Sequence, residues 1–345
     1  MINYTDSKLD KIIVHKIGNK TEDEGIRFSN SKLSLQGEFI EDLLLQFFLR
    51  PFKNESFFQF YHDADINLNE SFSFVSKIFE NEDIFEEQSK NLAKHLYEQS
   101  FHPKIKSGEF YTVFIKNCMI DDEIVDAVGL FKTENKDTYL KVEERNRNFE
   151  IDYEEGININ KIDKACIIYN TEKSDGYVIN IVDNINKSKE AQYWKDDFLK
   201  IKQREDNYYF TQNYLTMCKT FVEKGFEDLE KSDQIELKND TIKYFAEKDN
   251  FNIAEFEHEV IANDEVIEVF REFKTTYEEA KEIKLEDDFE ISDNAVKKSK
   301  NKFKSVIKLD KNFHIYIHGK RELIEKGFDT LKNKNFYKLF FDEEK

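Results

Sequence analysis

The chain has 345 residues, of which 39% are hydrophobic and 14% aromatic, with 33 Phe and 16 Tyr. This aromatic content predicts sizeable packed cores and argues against disorder over most of the chain, because each such ring buries on the order of 150–250 Å². The net charge of −19, from 71 acidic and 52 basic residues, excludes a protein that is cationic over its whole surface. Any binding of DNA phosphates therefore requires a local cluster of Lys or Arg.

Composition also predicts a cytoplasmic protein without a membrane partner. The first eleven residues contain acids and no apolar segment, which is unlike a secretory signal. The best apolar run, residues 43–49, is much shorter than the roughly 18 residues needed to span a bilayer. Cys118, Cys166 and Cys218 are odd in number and lie in apolar patterns, so we predict buried, reduced thiols instead of disulfides or a metal site.

The first half of the chain predicts an antiparallel sheet with flanking helices. Residues 9–17 are typical of a strand, and apolar residues between 40 and 48 recur at helical spacing until Pro51. Two further helices are predicted at 70–80 and 83–101. Runs of β-branched and aromatic residues, separated by polar turns, then predict an antiparallel meander of five or six strands. Its strands are predicted at 110–120, 123–133, 137–143, 149–154, 164–170 and 177–183.

The second half predicts helices followed by a small sheet. An apolar stripe from 210 to 222 ends before Gly225, a typical C-terminal signal of a helix, and helical patterns recur at 233–247, 252–261 and 264–274. Strands are predicted at 302–309, 313–318 and 336–341. The polar stretch 183–189 is the predicted boundary. The fold class is therefore α+β, with an α+β domain at 1–185 and a helix-rich domain at 186–345 that ends in a short antiparallel sheet.

Four segments of the chain resemble the bacterial nucleoid-associated protein family of the NdpA (YejK) type. They are residues 95–131, residues 15–20 (HKIGNK), residues 128–134 (VGLFKTE) and residues 156–166 (GININKIDKAC). The segments occur in the family's order, and the resemblance runs nearly from end to end. It implies a cytoplasmic, non-enzymatic protein of the nucleoid that is associated with the bacterial chromosome. None of these segments carries reaction chemistry.

Residues 294–311 form the only strongly basic window, with seven Lys and one Asp. The candidate nucleic-acid-binding residues are Lys297, Lys298, Lys300, Lys302 and Lys304. These cations predict an electrostatic contact to a nucleic-acid backbone. The alternative is a solvated face, or an edge strand that Lys protects from aggregation. The chain has only seven Arg, so sequence-specific reading of guanine is disfavoured.

Three other groups offer possible metal ligands, and a structural role is favoured for each. Residues 62–65 (HDAD) offer ligands for a hard cation, but they also suit a polar turn after a strand at 57–61. His95 and His102 flank the end of a predicted helix, where its dipole stabilises a cation. His314 and His318 lie some 13 Å apart along a strand, too far to share one metal.

No phosphate-binding loop or nucleophile motif occurs, so we predict no enzyme activity and no cofactor. The first functional hypothesis is a DNA-associated architectural or regulatory protein. The second is an acidic interaction protein that reaches the nucleoid by binding a DNA-processing enzyme such as a topoisomerase. A metal-dependent hydrolase is a distant third. Whether DNA contact is direct, and whether the chain forms a homo-oligomer, stay open.

Overall fold

The computed structural model describes residues 2–35, 37–52, 56–120, 123–183, 193–224, 231–303, 305–309, 313–317 and 323–343. The chain divides into two compact units, Met1–Arg204 and Glu205–Lys345. The division falls after residue 204, later than the predicted boundary, because the strand at 201–203 pairs with a strand of the first unit. Most of the predicted boundary segment, residues 184–189, lies outside the described residues.

The first unit contains eleven described strands and is built on one antiparallel sheet. The strands are β1 (Ile2–Asn3), β2 (Lys8–Ile17), β3 (Ile26–Arg27), β4 (Phe58–Phe60), β5 (Gly108–Ile120), β6 (Glu123–Thr133), β7 (Asp137–Arg145), β8 (Asn148–Gly156), β9 (Lys164–Tyr169), β10 (Val178–Asp183) and β11 (Ile201–Gln203). The order in the sheet is β11-β4-β10-β9-β6-β5-β2-β3, and β1 pairs with β5.

The predicted meander is interrupted at β7 and β8. Strand β6 pairs directly with β9, while β7 and β8 pair only with each other. The reason lies in the side-chain pattern. Strands β6 and β9 carry apolar runs that are buried on both faces, whereas β7 and β8 alternate apolar with charged residues and have one polar face. A strand with a charged face does not fit the middle of a sheet that is covered on both sides.

Helices cover both faces of this sheet. They are α1 (Glu38–Leu49), α2 (Glu70–Glu80) and α3 (Phe85–Glu98), with 3-10 turns at 66–68, 82–84 and 173–175 and a π-helical segment at 193–199. Neighbouring residues of one strand enter opposite cores: Ile12 packs on the side of α1, and Ile13 on the side of α2 and α3. Phe110 and Tyr111 of β5 divide in the same way. This alternation is the period of two that a strand imposes.

The second unit is helix-rich and encloses an aromatic core. Its helices are α4 (Asn207–Lys224), α5 (Lys231–Glu247), α6 (Ile253–Phe256), α7 (Asp264–Lys281) and α8 (Asp293–Ser299). Its described strands form three antiparallel pairs. They are β12 (Asn250–Asn252) with β13 (Asp288–Glu290), β14 (Ser305–Leu309) with β15 (Phe313–Ile317), and β16 (Ile324–Asp329) with β17 (Lys334–Leu339). The stripe predicted on α4 is buried against Phe251, Phe256, Phe270 and Phe289. Strand β16 was not predicted. The strand predicted at 302–309 occurs at Ser305–Leu309, because residues 302 and 303 belong to a 3-10 turn at 300–303.

The predicted α+β class is confirmed. No helix of the described residues is long and apolar enough to cross a membrane. All three cysteines are free and buried, as predicted. Burial raises the pKa of the Cys118 thiol to about 11 and raises the pKa values of the Cys166 and Cys218 thiols as well.

Candidate nucleic-acid interface

Helix α8 presents the first residues of the predicted basic cluster. The helix begins at the cap Ser292, whose hydroxyl accepts the backbone N–H of Ala295 at 3.4 Å. Ala295 and Val296 are buried in the second unit, and this fixes which side of the short helix faces solvent. Lys297 and Lys298 lie in the last turn, where the negative end of the helix dipole favours cations.

Three of the five predicted cations are exposed together at the end of α8. They are Lys297, Lys298 and Lys300. The Lys298 ammonium donates to the Tyr208 hydroxyl at 3.2 Å and lies 5.1 Å from the centre of that ring. The Lys297 ammonium is 4.0 Å from the Asp293 carboxylate, a loose ion pair between two exposed side chains. The arrangement offers point charges to an anion, without the forked geometry with which Arg reads a base edge.

Some predicted residues lie outside the part of the chain that the structure describes. These are the side chain of Lys302, the whole of Lys304, the side chain of His314, and His318. The structure therefore describes the side chains of three cations of the predicted cluster, Lys297, Lys298 and Lys300.

Folding creates a second group of surface cations that no sequence window shows. Lys16 of β2 and Arg27 of β3 are directly paired across the sheet, and both are exposed. The next residue, Phe28, is partly exposed and makes an edge contact with the His15 ring, with the ring centres 5.5 Å apart. The Lys94 ammonium of α3 lies 5.9 Å from the centre of the Phe28 ring. We call Lys16, Arg27 and Lys94 the sheet-edge cations.

The first unit also buries two lysines at the ends of β6 and β9. Lys132 and Lys164 are directly paired across these strands, and both are fully buried. The Lys132 ammonium pairs with the Glu134 carboxylate at 2.9 Å and donates to the Lys106 carbonyl at 3.0 Å. The Tyr193 hydroxyl donates to Glu134 at 2.8 Å. Burial lowers the pKa of Lys132, and the Glu134 carboxylate opposes that shift.

This buried cluster is structural and does not present charge to a ligand. The Lys132 ammonium is enclosed by a carboxylate, a carbonyl and a phenol, which together satisfy its three donors. Asp163 holds the turn after β6, since its carboxylate accepts the backbone N–H of Glu134 at 2.5 Å and of Asn135 at 2.9 Å. Sequence alone does not predict this cluster, because lysines in a strand ordinarily indicate an exposed face.

An open cleft of about 360 Å³ lies beside this cluster. Two of its lysines bond to neighbouring side chains. The Lys136 ammonium pairs with Glu109 at 3.1 Å, and the Lys106 ammonium donates to Asn135 at 2.8 Å. The charges that line the cleft also balance in number, with Lys16, Lys106 and Lys136 against Glu109, Glu134 and Glu155. The cleft therefore carries no excess charge that would select an anion or a cation.

Residues 62–65 form a polar turn, as predicted from the sequence. The Asp65 carboxylate caps the following 3-10 turn by accepting the Asn67 backbone N–H at 2.9 Å. The His62 imidazole accepts the Ala64 backbone N–H at 3.2 Å. Among the described residues there is no group of three or more His, Cys, Asp or Glu side chains arranged to hold a metal ion.

His95 and His102 do not act as a pair. His95 is buried, and its two ring nitrogens lie 2.9 Å from the Glu70 carboxylate and 2.9 Å from the Phe198 carbonyl. Burial lowers the pKa of His95, while Glu70 opposes the shift. His102 is exposed and accepts the Lys104 backbone N–H at 3.2 Å. The two histidines therefore have different hydrogen-bond partners and do not form one site.

The fold and these surfaces define a two-unit α+β protein with surface cations in each unit. The chain belongs to the NA37 family, described as nucleoid-associated protein YejK, whose model matches residues 13–336. This match confirms the resemblance seen in the sequence and places the protein in the nucleoid. The family is one of nucleoid-associated proteins and not a known enzyme family. A search among curated proteins gives no match.

Proposed function

We propose that the protein associates with the chromosome by direct and sequence-indifferent contacts from its second unit to DNA phosphates. The observation that carries this proposal is the exposure of Lys297, Lys298 and Lys300 at the end of α8. Lys302 and Lys304 complete the proposed contact. The family match supports a nucleoid role, and the cations supply a chemical means of reaching DNA.

The chemistry of the cluster sets the character of the binding. Lysine ammonium groups attract phosphate oxygens but carry little information about base sequence. Most of the surface is acidic, so affinity comes from a few contacts against a repulsive background, and binding is weak and sensitive to salt. An architectural or regulatory role suits this behaviour, because such a protein needs to occupy many sites and to leave them readily.

Charge reversal at two positions tests the proposed contact. The variant Lys298→Glu/Lys300→Glu should bind all duplexes more weakly. The log–log slope of its affinity against salt should be less negative than that of the wild type by about 1.8, if each lost contact removes roughly 0.9. The matched control Lys16→Glu/Arg27→Glu makes the same change of charge on the sheet-edge cations. Fluorescence anisotropy with two duplexes of unrelated sequence measures both quantities.

The two variants separate the surfaces. Loss of affinity in the α8 variant alone supports the proposal. Retained affinity in that variant removes the α8 cluster from consideration, and loss in the control alone moves the contact to the first unit.

The second candidate function is docking of an acidic surface on the basic groove of a DNA-processing enzyme, such as a topoisomerase. The net charge of −19 favours it, since such charge repels DNA and speeds the encounter with a basic partner. Residues 80–87 and 282–290 are the proposed contact surfaces. In the second of these, Leu285 and Phe289 are buried while Glu286, Asp288 and Glu290 point to solvent.

Co-sedimentation distinguishes the candidates. Equal recovery with bare duplex DNA and with DNA plus cell extract would rule out the partner, whereas recovery only with extract would rule out direct binding.

A further inference from the structure

Strands β7 and β8 form an arm that stands apart from the sheet of the first unit. Because β6 and β9 pair directly, residues 137–156 leave the sheet and return to it as one hairpin. Nine residues per strand give a length of roughly 30 Å at about 3.3 Å per residue. In the described residues neither strand pairs with any third strand. We call residues 137–156 the arm.

One face of the arm is polar and satisfies its own charges. The Lys141 ammonium pairs with the Glu143 carboxylate at 2.7 Å. The Tyr139 hydroxyl donates to Glu154 at 2.7 Å. The Arg145 guanidinium pairs with Glu143 at 3.1 Å. These residues alternate along both strands, so their side chains lie on the same side of the hairpin.

Five apolar side chains are exposed on the opposite face. Direct cross-strand pairs place Leu140 against Tyr153 and Val142 against Ile151, and Phe149 follows next to the turn. These five side chains are between 61 and 75% exposed. They contrast with the apolar residues of β5, β6 and β9, nearly all of which are buried. The alternation of the arm therefore produces an amphipathic ribbon whose apolar side has no cover within the described chain.

Such a ribbon needs a partner. A two-stranded hairpin alone is marginally stable in water, and it gains stability when its apolar face packs on another element. The five side chains expose roughly 600 Å² of apolar surface, since an aromatic ring alone accounts for 150–250 Å² when it is buried. A patch of that size is at the upper limit for a monomeric protein and marks an interaction site.

We propose that the apolar face of the arm packs against the same face of a second copy of this chain. Face-to-face packing of two sheets about 10 Å apart would bury the five side chains of each copy together. The area of roughly 600 Å² per copy approaches the about 800 Å² per partner of a standard interface, so the dimer forms at micromolar or higher concentration. The charged side chains of the polar face would point away from this contact. Glu144 and Glu155 lie on the apolar side, opposite Phe149 and Thr138, at the two ends of the face.

The arm's chemistry favours a second copy over other occupants. DNA is a polyanion and does not suit a face with five apolar side chains and no cation. A separate partner would leave the ribbon bare whenever it dissociated, whereas a second copy is made together with the first and covers both faces in one contact. A two-fold interface of this kind is self-complementary, as most homodimer interfaces are.

The stability of the proposed dimer should increase with salt concentration. Each copy carries a net charge of −19, so the copies repel each other while their apolar faces attract. Added NaCl screens the repulsion and should strengthen the dimer. Docking of a basic partner through ion pairs would weaken with the same addition. This inference does not depend on the DNA contact proposed for α8.

Sedimentation velocity of the full chain, at concentrations from about 1 to 100 µM and at two NaCl concentrations, tests the dimer. Ile151→Lys places a charge in the apolar face and should raise the dimer dissociation constant at least tenfold. Asp152→Lys changes the adjacent residue on the polar face and should leave that constant within about twofold of the wild type. A wild-type chain that stays monomeric throughout, or two variants with equal effects, would overturn the proposal.

A cross-link provides a test that does not require the Ile151 variant to keep its stability. The native cysteines are buried, so a cysteine added to the arm is the accessible thiol. Because the packed faces lie about 10 Å apart, farther than a disulfide can reach, a bismaleimide of matching length is the appropriate reagent. It should give a cross-linked dimer of Ile151→Cys and much less of Asp152→Cys. Equal yields of dimer from the two variants would show that the apolar face does not mediate the contact.

Discussion

Replacing His15 with Gln should make the stability of the first unit less dependent on pH. The His15 ring is almost fully buried. Its Nδ1 accepts the Ser29 backbone N–H at 3.1 Å, which requires that nitrogen to be unprotonated. The other ring nitrogen, Nε2, lies 3.0 Å from the Ser89 hydroxyl. Burial, assisted by the nearby Lys90 cation, lowers the pKa of His15 to about 4 from an ordinary 6.5.

The direction of the effect follows from where the proton binds. Because the native pKa lies below the unfolded one, the unfolded chain binds more protons between pH 6.5 and 4. The stability that neutral His15 confers is therefore complete above pH 6.5 and declines as the pH falls towards 4. A full pKa unit corresponds to about 1.4 kcal/mol. Between pH 7.5 and 5.5 the unfolded imidazole takes up most of a proton while the native one stays neutral. The free energy of unfolding should therefore fall by about 1.3 kcal/mol over this range.

Urea unfolding followed by the fluorescence of Trp194 measures this quantity. Trp194 is the single tryptophan of the chain, and it is buried in the same core as the helices that flank His15, so it reports on the first unit. Measurements stop at pH 5.5 because the isoelectric point is near 5.0. The variant His102→Gln is the control, since it makes the same substitution at an exposed position.

The free energy of unfolding of wild type should fall between pH 7.5 and 5.5 by about 1.3 kcal/mol more than that of His15→Gln. The His102→Gln control should follow the wild type. An identical pH dependence of wild type and His15→Gln would refute the reasoning, even if the variant were less stable at every pH.

Three further predictions concern burial and domain structure. The three native thiols should react slowly with a thiol reagent in the folded protein, and fast labelling at two or more of them would contradict their burial. Lys132→Met should destabilise the first unit by about 3–5 kcal/mol in the Trp194 assay, because it leaves the Glu134 carboxylate buried without its cation. Lys132→Met/Glu134→Gln should recover part of that loss, and no recovery would argue against the ion pair. Limited proteolysis should cut first within residues 183–189, where polar residues offer little to bury. A first cut elsewhere in the chain would count against this boundary.

Local patterns predicted most of the regular elements. The helix predicted at 70–80 occurs as Glu70–Glu80, and the strand predicted at 110–120 occurs within Gly108–Ile120. The order of the strands in the sheet was harder to predict from the sequence, since the pairing of β6 with β9 depends on contacts between residues far apart in sequence. The charged alternation of residues 137–156 nevertheless contained the signal that these strands lie outside the main sheet.

Some of the surface cations could be predicted from the sequence, and others could not. Lys297, Lys298 and Lys300 are neighbours in sequence, so the local excess of lysine was enough to predict the cluster. Lys16 and Arg27 meet only because β2 and β3 pair, so a search of sequence windows does not find them. The buried Lys132 was also missed, because its burial depends on an ion pair and on a tyrosine that lies far along the chain.

Titration of the purified protein against duplex DNA at several salt concentrations tests the central claim most directly. Contacts from four or five lysines to phosphates predict a log–log slope of affinity against salt near −4, at roughly −0.9 per contact. The slope should be the same for duplexes of different sequence. An absence of binding at low salt, or a slope near zero, would contradict direct association through the cations of α8.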